Sequence, residues 1–397
     1  MNQRPFVAAL MISLVSVIFV HPAHGLGFNI TPYYAGAAPN SVVAGDFNRD
    51  GKLDLVVADS CQTNKCDTVG VVTVLLGNGD GTFHGRRKFQ AGPFGTSALF
   101  VTSGDFNKDG NLDLLVINNG INVFGDVSVL LGNGDGSFQA PVSYAVGGST
   151  PVWAAAADFN HDGFPDLAIS VTTTNSVAIL LGNGDGTFQD AINYPVEGSP
   201  QGLAVADLNH DGKIDLAVAN ECGHDPACRQ GTVSILLGNG DGTFAAQASF
   251  FVGIFPLTVA VADFNGDGQR DLLLTLPCGT DGTCVSNGGV GILLGNGDGT
   301  FQSVAVYVGL GLDTARASVG DFNGDHHADV VALDYQTADV VVFLGNGDGT
   351  LQTGTSFAVG QNPISVAITD FNGDKATDMA VVSQIPNDVS ILLNTGP

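Results

Sequence analysis

Short hydrophobic runs alternate with clusters of Gly, Asn and Asp along most of the chain, as the segment starting at residue 151 illustrates. Apolar and β-branched residues dominate four runs there, at 151–157, 167–171, 176–181 and 187–196. Runs of this length between turn-forming residues are typical of β-strands, and no window holds a helical period. The pattern predicts four antiparallel strands, with an acidic loop at 158–166 between the first two.

This unit occurs seven times. Every copy of its nine-residue acidic loop has Asp, Asn, Asp and Asp at positions 1, 3, 5 and 9, and successive loops start 49 to 59 residues apart. The loops begin at Asp46, Asp105, Asp158, Asp207, Asp263, Asp321 and Asp370. A regular period of this size indicates a repeat architecture in which the units form one body.

The residues before each loop are small or β-branched, for example Ala156 and Ala157, which suits innermost strands that converge on an axis. We therefore predict an all-β, seven-bladed β-propeller with four antiparallel strands per blade. A linear β-solenoid is the alternative. The last unit lacks a fourth strand, whereas residues 26–35 precede Asp46 as 138–145 precede Asp158. The N-terminal strand is therefore expected to complete the last blade, a closure that a solenoid does not need.

The acidic loops have the chemistry of a calcium site. Side-chain oxygens at positions 1, 3, 5 and 9 and the carbonyl of position 7 supply hard oxygen ligands, and Gly at position 6 permits a sharp turn, as in the first half of an EF-hand loop. The bidentate Glu at position 12 is absent and strands replace helices, so the loop is not an EF-hand. Mg²⁺ is the weaker alternative because it resists dehydration.

We expect up to seven Ca²⁺ ions, one per blade. The predicted ligands are Asp46, Asn48, Asp50, Lys52 and Asp54; Asp105, Asn107, Asp109, Asn111 and Asp113; Asp158, Asn160, Asp162, Phe164 and Asp166; Asp207, Asn209, Asp211, Lys213 and Asp215; Asp263, Asn265, Asp267, Gln269 and Asp271; Asp321, Asn323, Asp325, His327 and Asp329; and Asp370, Asn372, Asp374, Ala376 and Asp378. His326 and Lys375 replace the position-6 glycine in the last two loops, which should make them the weakest sites.

A second motif, Gly-Asn-Gly-Asp-Gly, follows the third strand of six units and starts at Gly77, Gly132, Gly182, Gly238, Gly295 and Gly345. It predicts a tight hairpin, because Asn and Gly both tolerate positive φ. Its single Asp makes a poor second metal site, since one carboxylate and a tight turn do not supply six oxygens.

The N-terminus differs from the rest. Arg4, an apolar run over residues 6–20 and the small residues Ala23 and Gly25 indicate a secretory signal peptide at 1–25, which leaves the propeller at 26–397. The alternative is a membrane anchor, but the run is short for a span of about 20 residues. We predict no transmembrane segment after signal removal, and a secreted or envelope location.

Charge narrows the choice of partners. The chain has 13 Lys and Arg against 39 Asp and Glu, a net charge of −26, and 21 of those acids are the loop aspartates. Nucleic acid is therefore not an expected partner. The acidity is mostly a metal-site signature, since clustered carboxylates repel one another unless a cation lies between them.

The six cysteines fall in three short pairs, each after the hydrophobic run that follows an acidic loop. The pairs are Cys61 with Cys66, Cys222 with Cys228, and Cys278 with Cys284. In an exported protein these predict local disulfides. A zinc site near His224 is the alternative, but thiolates from different repeats would have to converge.

The Asp-Phe-Asn-x-Asp-Gly-x-x-Asp loops, followed by Leu-Leu-Gly-Asn-Gly-Asp-Gly-Thr-Phe, resemble FG-GAP repeats of the VCBS type. They are similar to the repeats of the integrin α-subunit propeller and of some fungal lectins, and the resemblance covers the whole mature chain. It implies the propeller fold and calcium. It does not fix a function, because the family includes adhesins, lectins and lyase domains.

A binding or cell-adhesion module for a carbohydrate or protein is the leading functional hypothesis. Acidic loops join strands one and two, whereas the cysteine loops join strands two and three, so the two sets should lie on opposite faces. The longer, more variable loops opposite the calcium face are where recognition usually occurs. The candidate ligand residues there are Trp153, Phe124, His224, Asp225, Phe255 and Tyr335.

The competing hypotheses are a polysaccharide lyase or hydrolase built on the propeller, and a purely structural envelope protein. A lyase or hydrolase needs a base or a carboxylate pair in a cleft, and a lyase also needs a cation to neutralise a uronate. Outside the acidic loops the bases are few: Arg86, Arg87 and Lys88 cluster on an outer strand, and Arg229 and Arg316 lie near the cysteine face. No catalytic residue is predicted, and a binding protein is favoured over an enzyme.

Overall fold

The computed structural model describes residues 26–61, 69–120, 125–223, 228–278, 288–308, 310 and 314–396. The predicted signal peptide lies outside these residues. Within them the chain forms seven four-stranded antiparallel sheets, called blades below. Apart from strands, the described segments contain one 3-10 turn, Thr172–Thr174.

The strands follow one another in the order of the repeats. The N-terminal strand and blades 1 to 3 comprise β1 (Phe28–Tyr34); β2 (Ala37–Gly45), β3 (Asp54–Cys61), β4 (Val71–Gly77) and β5 (Phe83–Gln90); β6 (Thr96–Gly104), β7 (Asp113–Gly120), β8 (Asp126–Leu130) and β9 (Val142–Ala145); and β10 (Pro151–Ala157), β11 (Asp166–Val171), β12 (Ser176–Leu180) and β13 (Ile192–Pro195).

Blades 4 to 7 continue the same arrangement. They comprise β14 (Gly198–Ala206), β15 (Asp215–Gly223), β16 (Gly231–Leu236) and β17 (Ala248–Gly253); β18 (Val259–Ala262), β19 (Asp271–Leu276), β20 (Gly289–Leu293) and β21 (Ala305–Val308); β22 (Thr314–Gly320), β23 (Asp329–Asp334), β24 (Asp339–Phe343) and β25 (Thr355–Ala358); and β26 (Gln361–Thr369), β27 (Asp378–Ile385) and β28 (Asp388–Asn394).

The all-β, seven-bladed propeller predicted from the repeats is confirmed. In blade 7, β1 forms the outer strand and pairs antiparallel with β28, from Phe28 opposite Asn394 to Tyr34 opposite Asp388. The first and last strands of the described chain therefore belong to one sheet.

The predicted fourth strand of the unit that starts at residue 151 was too long. Instead of 187–196, strand β13 covers only Ile192–Pro195, after an isolated bridge between Gly182 and Phe188. Residues between Gly182 and Phe188 form the Gly-Asn-Gly-Asp-Gly turn, which the Asn183 N–H closes by donating to the Thr187 carbonyl (2.9 Å). The left-handed residues of this turn are Gly184 and Gly186 rather than the asparagine.

The core consists of seven clusters of described side chains, each shared by two adjacent blades. The aromatic residue at position 2 of an acidic loop enters such a cluster. Phe47 of blade 1 packs edge-on against Phe138 of blade 2 (5.9 Å between ring centroids), and Phe106 of blade 2 does so against Phe188 of blade 3 (5.8 Å). This packing explains why the motif needs a large apolar residue inside a polar loop.

The hairpin turn of one blade also docks on the acidic loop of the preceding blade. The Gly136 N–H donates to the Phe47 carbonyl (2.9 Å), and the Gly242 N–H does the same to Phe159 (3.0 Å). Gly136 has φ of 76°, and an ideal Cβ built on it would lie 3.0 Å from Leu76 Cδ2, so both its backbone and its close approach favour glycine. The two sequence motifs are thus two halves of one contact between blades.

Candidate functional site

Each acidic loop is organised by its own side-chain oxygens, as loop 1 between β2 and β3 shows. Asp46 Oδ2 accepts a hydrogen bond from the Gly51 N–H (2.9 Å), and Asn48 Oδ1 accepts one from the Asp50 N–H (3.0 Å). Asp50 Oδ1 accepts the Lys52 N–H (3.0 Å). Local bonds of this kind fix the direction of the side chains at positions 1, 3 and 5.

The aspartate at position 9 has a different environment. Asp54 is fully buried, and its two oxygens accept the backbone N–H groups of Phe47 (3.0 Å) and of Gly77 at the end of β4 (2.9 Å). The second bond ties the acidic loop to the end of the third strand. The equivalent pairs in the other blades are Asp113 with Gly132, Asp166 with Gly182, Asp215 with Gly238, Asp271 with Gly295, Asp329 with Gly345, and Asp378 with Asn394.

Burial and neighbouring charge both oppose ionisation of the position-9 aspartates. Burial, together with the carboxylates of Asp50 and Asp46, raises the pKa of Asp54 to about 6 against the opposing effect of the Gly77 and Phe47 N–H groups. The pKa also rises to about 6 in three equivalent residues, Asp113, Asp166 and Asp329. A cation in the loop would relieve this repulsion.

Both position 4 and position 6 of the loops have left-handed backbone. Position 6 has φ of 81° at Gly51, 67° at His326 and 73° at Lys375, and position 4 has φ of 59° at Arg49 and 73° at Gly324. The last two loops lack Gly at position 6 but carry it at position 4, so they keep the shared backbone conformation. The sequence signal missed here was that every loop has Gly in at least one of these two positions.

The residues of the loops fit calcium by type, and one of their carboxylate oxygens lacks a hydrogen-bond partner among the described residues. Asp158 Oδ1 is buried and accepts no hydrogen bond from the described residues, whereas the corresponding Asp46 Oδ1 accepts the Asp50 N–H (3.1 Å). No group of three or more His, Cys, Asp or Glu side chains in the described segments has a ready metal-binding arrangement. Asn and carbonyl oxygens would have to complete the shell, and calcium remains a prediction.

Loop 6 differs because imidazoles contact its carboxylates. His326 Nδ1 lies 3.6 Å from Asp321 Oδ2, and His327 Nδ1 lies 3.5 Å from Asp325 Oδ2. A cavity of about 490 Å³ lies between loops 6 and 7 and is lined by His326 and Lys375. These basic side chains stand beside carboxylates that a calcium ion would need.

The aspartate of the hairpin turn is used by the turn itself. Asp80 Oδ1 accepts both the N–H (3.0 Å) and the hydroxyl (2.5 Å) of Thr82. These bonds lower the pKa of Asp80, which remains exposed. The turn carboxylate thus has a local structural role.

The connections between the second and third strands lie on the face opposite the acidic loops, hereafter the cysteine face. A disulfide joins Cys222 at the end of β15 to Cys228, as predicted. Cys61 and Cys278 are also disulfide-bonded. Their predicted partners, Cys66 and Cys284, lie outside the described residues, as do Phe124, His224 and Asp225.

An axial cavity of about 510 Å³ lies at the cysteine face, hereafter the outer chamber. Tyr335, from the β23–β24 connection, lines it, and Phe255 lies half-buried in the β17–β18 connection two residues before the lining residue Leu257. Trp153 lines a second, deeper cavity of about 420 Å³, the inner chamber. Of the described candidate ligand residues, Trp153 and Tyr335 therefore lie on the axis of the disc.

Arg316, placed only near the cysteine face by the sequence, lines both chambers. It extends from β22 in blade 6, and its guanidinium carbon lies 4.6 Å from the centre of the Trp153 ring and 5.6 Å from that of Phe100. These rings belong to blades 3 and 2, on the far side of a seven-blade ring. Arg316 Nη1 donates to Ser365 Oγ of blade 7 (3.3 Å).

The signal for this axial layer is the residue five positions before each loop. The layer consists of Ser41, Phe100, Trp153, Gly202, Thr258, Arg316 and Ser365. Its hydroxyl groups link blades: Ser41 Oγ accepts the Val101 N–H (3.3 Å), and Ser365 Oγ accepts the Val42 N–H (3.2 Å). The three large side chains of the layer, Phe100, Trp153 and Arg316, line the central bore.

Among the described residues, no helix is long and apolar enough to cross a membrane. No curated protein matches the chain. Solved structures match its fold. A lectin from Agrocybe aegerita, described as recognising non-reducing terminal N-acetylglucosamine, has a TM-score of 0.54 at 20% identity, covering 91% of this chain and 96% of the lectin.

Two other folds are similarly close. The periplasmic gluconolactonase PpgL of Pseudomonas aeruginosa has a TM-score of 0.58 at 16% identity, covering 87% of this chain and 88% of that one. A functionally unknown protein from Desulfotomaculum acetoxidans DSM 771 has a TM-score of 0.55 at 13% identity, covering 80% and 86% of the two chains. At these identities the likeness concerns the fold alone.

A family model gives the stronger assignment. The FG-GAP-like repeat model matches residues 46–116, 105–169, 158–218, 225–274, 280–332 and 321–381, which together contain all seven acidic loops. The repeats that carry those loops, the turns that dock on them and the seven blades are the same units. The chain belongs to the FG-GAP-like repeat family.

Proposed function

We propose that the protein is a secreted or envelope-located calcium-binding propeller that serves as a binding or adhesion module for a carbohydrate or protein. The observation that carries the proposal is the division between the two faces. Acidic loops occupy one face, and the cysteine face carries the outer chamber, with Tyr335 at its lining. Concave sites of 300–1,000 Å³ with few polar groups are typical ligand sites.

Calcium has a structural role in this proposal. When bound, it supplies positive charge among the carboxylates at positions 1, 5 and 9, such as Asp46, Asp50 and Asp54. The loop also carries the carbonyl that accepts a hydrogen bond from the next blade's turn, as between Phe47 and Gly136 (2.9 Å). A loop held in one conformation would therefore stiffen the contact between blades as well as the loop itself.

A carbohydrate is the first ligand class to test, because the structurally similar Agrocybe aegerita lectin is described as binding N-acetylglucosamine ends. The experiment is a glycan array probed with the mature protein in calcium and in chelator. Tyr335→Ala removes an aromatic ring from the outer chamber, and Tyr34→Ala removes one from the outer strand of blade 7 as the matched control.

We expect the wild type and Tyr34→Ala to bind the same glycans and Tyr335→Ala to lose at least tenfold in affinity. Chelator should weaken binding and lower the melting temperature together. A peptide display library screened in parallel covers the protein-ligand case. Binding unchanged by Tyr335→Ala, or no binder in either screen, would contradict the proposal. Release of unsaturated sugar ends from an acidic polysaccharide would support a lyase instead.

A further inference from the structure

Arg316 is a positive charge on the axis that has no negative partner among the described residues. It is the only titratable residue in the seven innermost strands β2, β6, β10, β14, β18, β22 and β26. No carboxylate of the described residues forms an ion pair with it, and the Ser365 hydroxyl takes only one of the five N–H donors of the guanidinium. The net charge of the chain is −26, so an axial cation that no described carboxylate pairs with is unexpected.

The Arg316 side chain is held by contacts with other blades across the bore, namely with Trp153, Phe100 and Ser365. Stacking on Trp153 (4.6 Å) and Phe100 (5.6 Å) gives partial compensation through cation–π attraction. Burial lowers the pKa of Arg316 to about 10, so the guanidinium is still charged at neutral pH. The aromatic rings fix the plane of the group, and its unused N–H donors are left for a ligand in the chambers that it separates.

The outer chamber is lined mainly by aliphatic groups. Blades 2, 3, 5 and 7 each contribute one aliphatic side chain to this lining: Leu99, Val152, Leu257 and Ile364. This lining can bury an apolar body of modest size, as ligand sites commonly do.

The polar lining is small in comparison and partly satisfied within the protein. Asn40 Nδ2 donates to Ser60 Oγ (2.6 Å) and the Ala98 carbonyl (2.9 Å), and Gln384 Nε2 donates to Asn40 Oδ1 (3.3 Å). Few free polar groups therefore remain inside the chamber, and this interior suits a small, mostly apolar molecule.

We propose that the outer chamber binds a small organic monoanion, with its carboxylate on Arg316 and its apolar body against Leu99, Val152, Leu257 and Ile364. A guanidinium pairs with a planar carboxylate through two parallel N–H···O bonds. These charge-assisted bonds compensate both groups for the loss of their hydration. One arginine with no second cation matches a single negative charge. The monoanion site shares the outer chamber with the ligand site of the proposed function, but it depends on Arg316 and the aliphatic lining rather than on Tyr335, so Arg316→Gln and Tyr335→Ala test the two separately.

The chain contains one Trp, and it stacks on Arg316, so intrinsic fluorescence reports on this site. The probe is phenylacetate, titrated into the calcium-loaded mature protein while Trp153 emission is followed. Phenylacetamide has the same apolar body without the charge, and inorganic phosphate has charge without the body. We expect a saturable change with phenylacetate and at least tenfold weaker binding of both controls.

Two variants locate the site. Arg316→Gln should weaken phenylacetate at least tenfold, whereas Arg87→Gln, on the exposed outer strand β5, should leave it unchanged. Because Arg316→Gln alters packing on the axis, Gln384→Glu is the second test. It keeps the side-chain shape and puts a carboxylate into the chamber lining, where it should compete with the ligand and also weaken binding at least tenfold.

The outcomes are separable. Phenylacetate affinity that survives Gln384→Glu, equals that of phenylacetamide, or equals that of phosphate would overturn the proposal. So would the absence of any saturable Trp153 signal in the wild type. A failed glycan array bears only on the proposed function, since no glycan is used here.

Discussion

The buried carboxylate of Asp54 accepts a hydrogen bond from the Gly77 N–H at 2.9 Å, and through it the acidic loop of blade 1 is attached to the end of that blade's third strand. The other Asp54 oxygen accepts the Phe47 N–H within the loop (3.0 Å). This aspartate therefore has a structural function that does not require a metal.

Asp54→Asn and Asp50→Asn should consequently have different effects. An amide has one oxygen, so Asp54→Asn leaves a backbone N–H of Phe47 or Gly77 without an acceptor, at a cost of about 1–3 kcal/mol in calcium. In chelator above pH 6 this cost is partly offset, because the variant loses the unfavourable ionisation of the buried carboxyl. Asp50→Asn should lose only calcium stabilisation, about 0.4–1.4 kcal/mol at millimolar calcium for a dissociation constant of roughly 10⁻⁴ to 10⁻³ M. Urea unfolding with and without chelator measures both; equal effects in chelator would show that the two residues share one role.

Stability of the metal-free protein should fall as pH rises from about 4 to above 6. The pKa of Asp54, Asp113, Asp166 and Asp329 is about 6 in the fold, against 3.8 for an ordinary Asp. In this window the folded state holds more protons than the unfolded state, so their contribution is full below pH 4 and is lost as pH passes 6. Bound calcium should suppress the fall, because it favours the ionised carboxylates.

Melting temperatures between pH 3 and 8, in chelator and in calcium, test this. Exposed turn aspartates such as Asp80 and Asp135 have a lowered pKa, so they act only below the ordinary Asp value and in the opposite sense. A flat metal-free profile above pH 4 would contradict the assignment of the titration to the position-9 aspartates.

Asp59→Asn should stabilise the protein at pH 8. Asp59 is fully buried in β3, with Oδ1 lacking a hydrogen bond and Oδ2 accepting one from the Thr73 hydroxyl, and burial raises its pKa to about 7 although Lys88 and Arg86 oppose the shift. Ionisation therefore destabilises the folded state increasingly as pH rises through 7. We expect a gain of about 1–3 kcal/mol at pH 8 that shrinks towards pH 4.

The repeats provide a reference for this substitution. Blades 2 and 4 carry Asn118 and Asn220 at the corresponding place, and each donates to a serine hydroxyl at 2.8 Å, Ser128 and Ser234 respectively. The amide introduced by Asp59→Asn would have the Thr73 hydroxyl in the same position. Chemical unfolding at pH 4.5 and pH 8 is the measurement, and a gain independent of pH would rule out ionisation as its cause.

His326→Gly should raise both stability and the calcium affinity of loop 6. The residue has φ of 67°, which costs a side chain roughly 1–2 kcal/mol, and the added backbone freedom of Gly offsets about half of the gain. The affinity gain comes from removing the imidazole 3.6 Å from Asp321. His161→Gly, at φ of 58° in loop 3, should give the stability gain alone, and calorimetric calcium titration of both variants distinguishes backbone strain from the loss of the imidazole contact.

The repeat loops allowed blade number and strand order to be predicted, because each loop joins the first and second strands of one four-stranded sheet. The disulfide between Cys222 and Cys228 could also be predicted, because the two cysteines are close together in the sequence. The structural role of an individual loop residue was harder to predict from the sequence. The spacing that predicts Asp54 as a calcium ligand gives no information about its hydrogen bond to Gly77, because that bond depends on where the third strand ends.

The contacts of Arg316 could not be predicted from the sequence. Its partners Trp153 and Phe100 come from blades on the opposite side of the ring, so the contact exists only once seven blades have closed around an axis. Strand alternation identifies which side chains point inwards but not which of them meet across the bore. The position five residues before each loop is present in the sequence of every repeat, but the contacts that its side chains make across the bore are not.

The pairing of β1 with β28 has a kinetic consequence. It brings together segments separated by nearly the whole described chain, and contacts of such separation form late, because loop closure must precede them. Until then β28 presents an unpaired edge to solvent, which is a template for intermolecular strand addition. The yield of native protein should therefore depend on how fast this last seam closes relative to encounter with another chain, so refolding should lose efficiency as protein concentration rises.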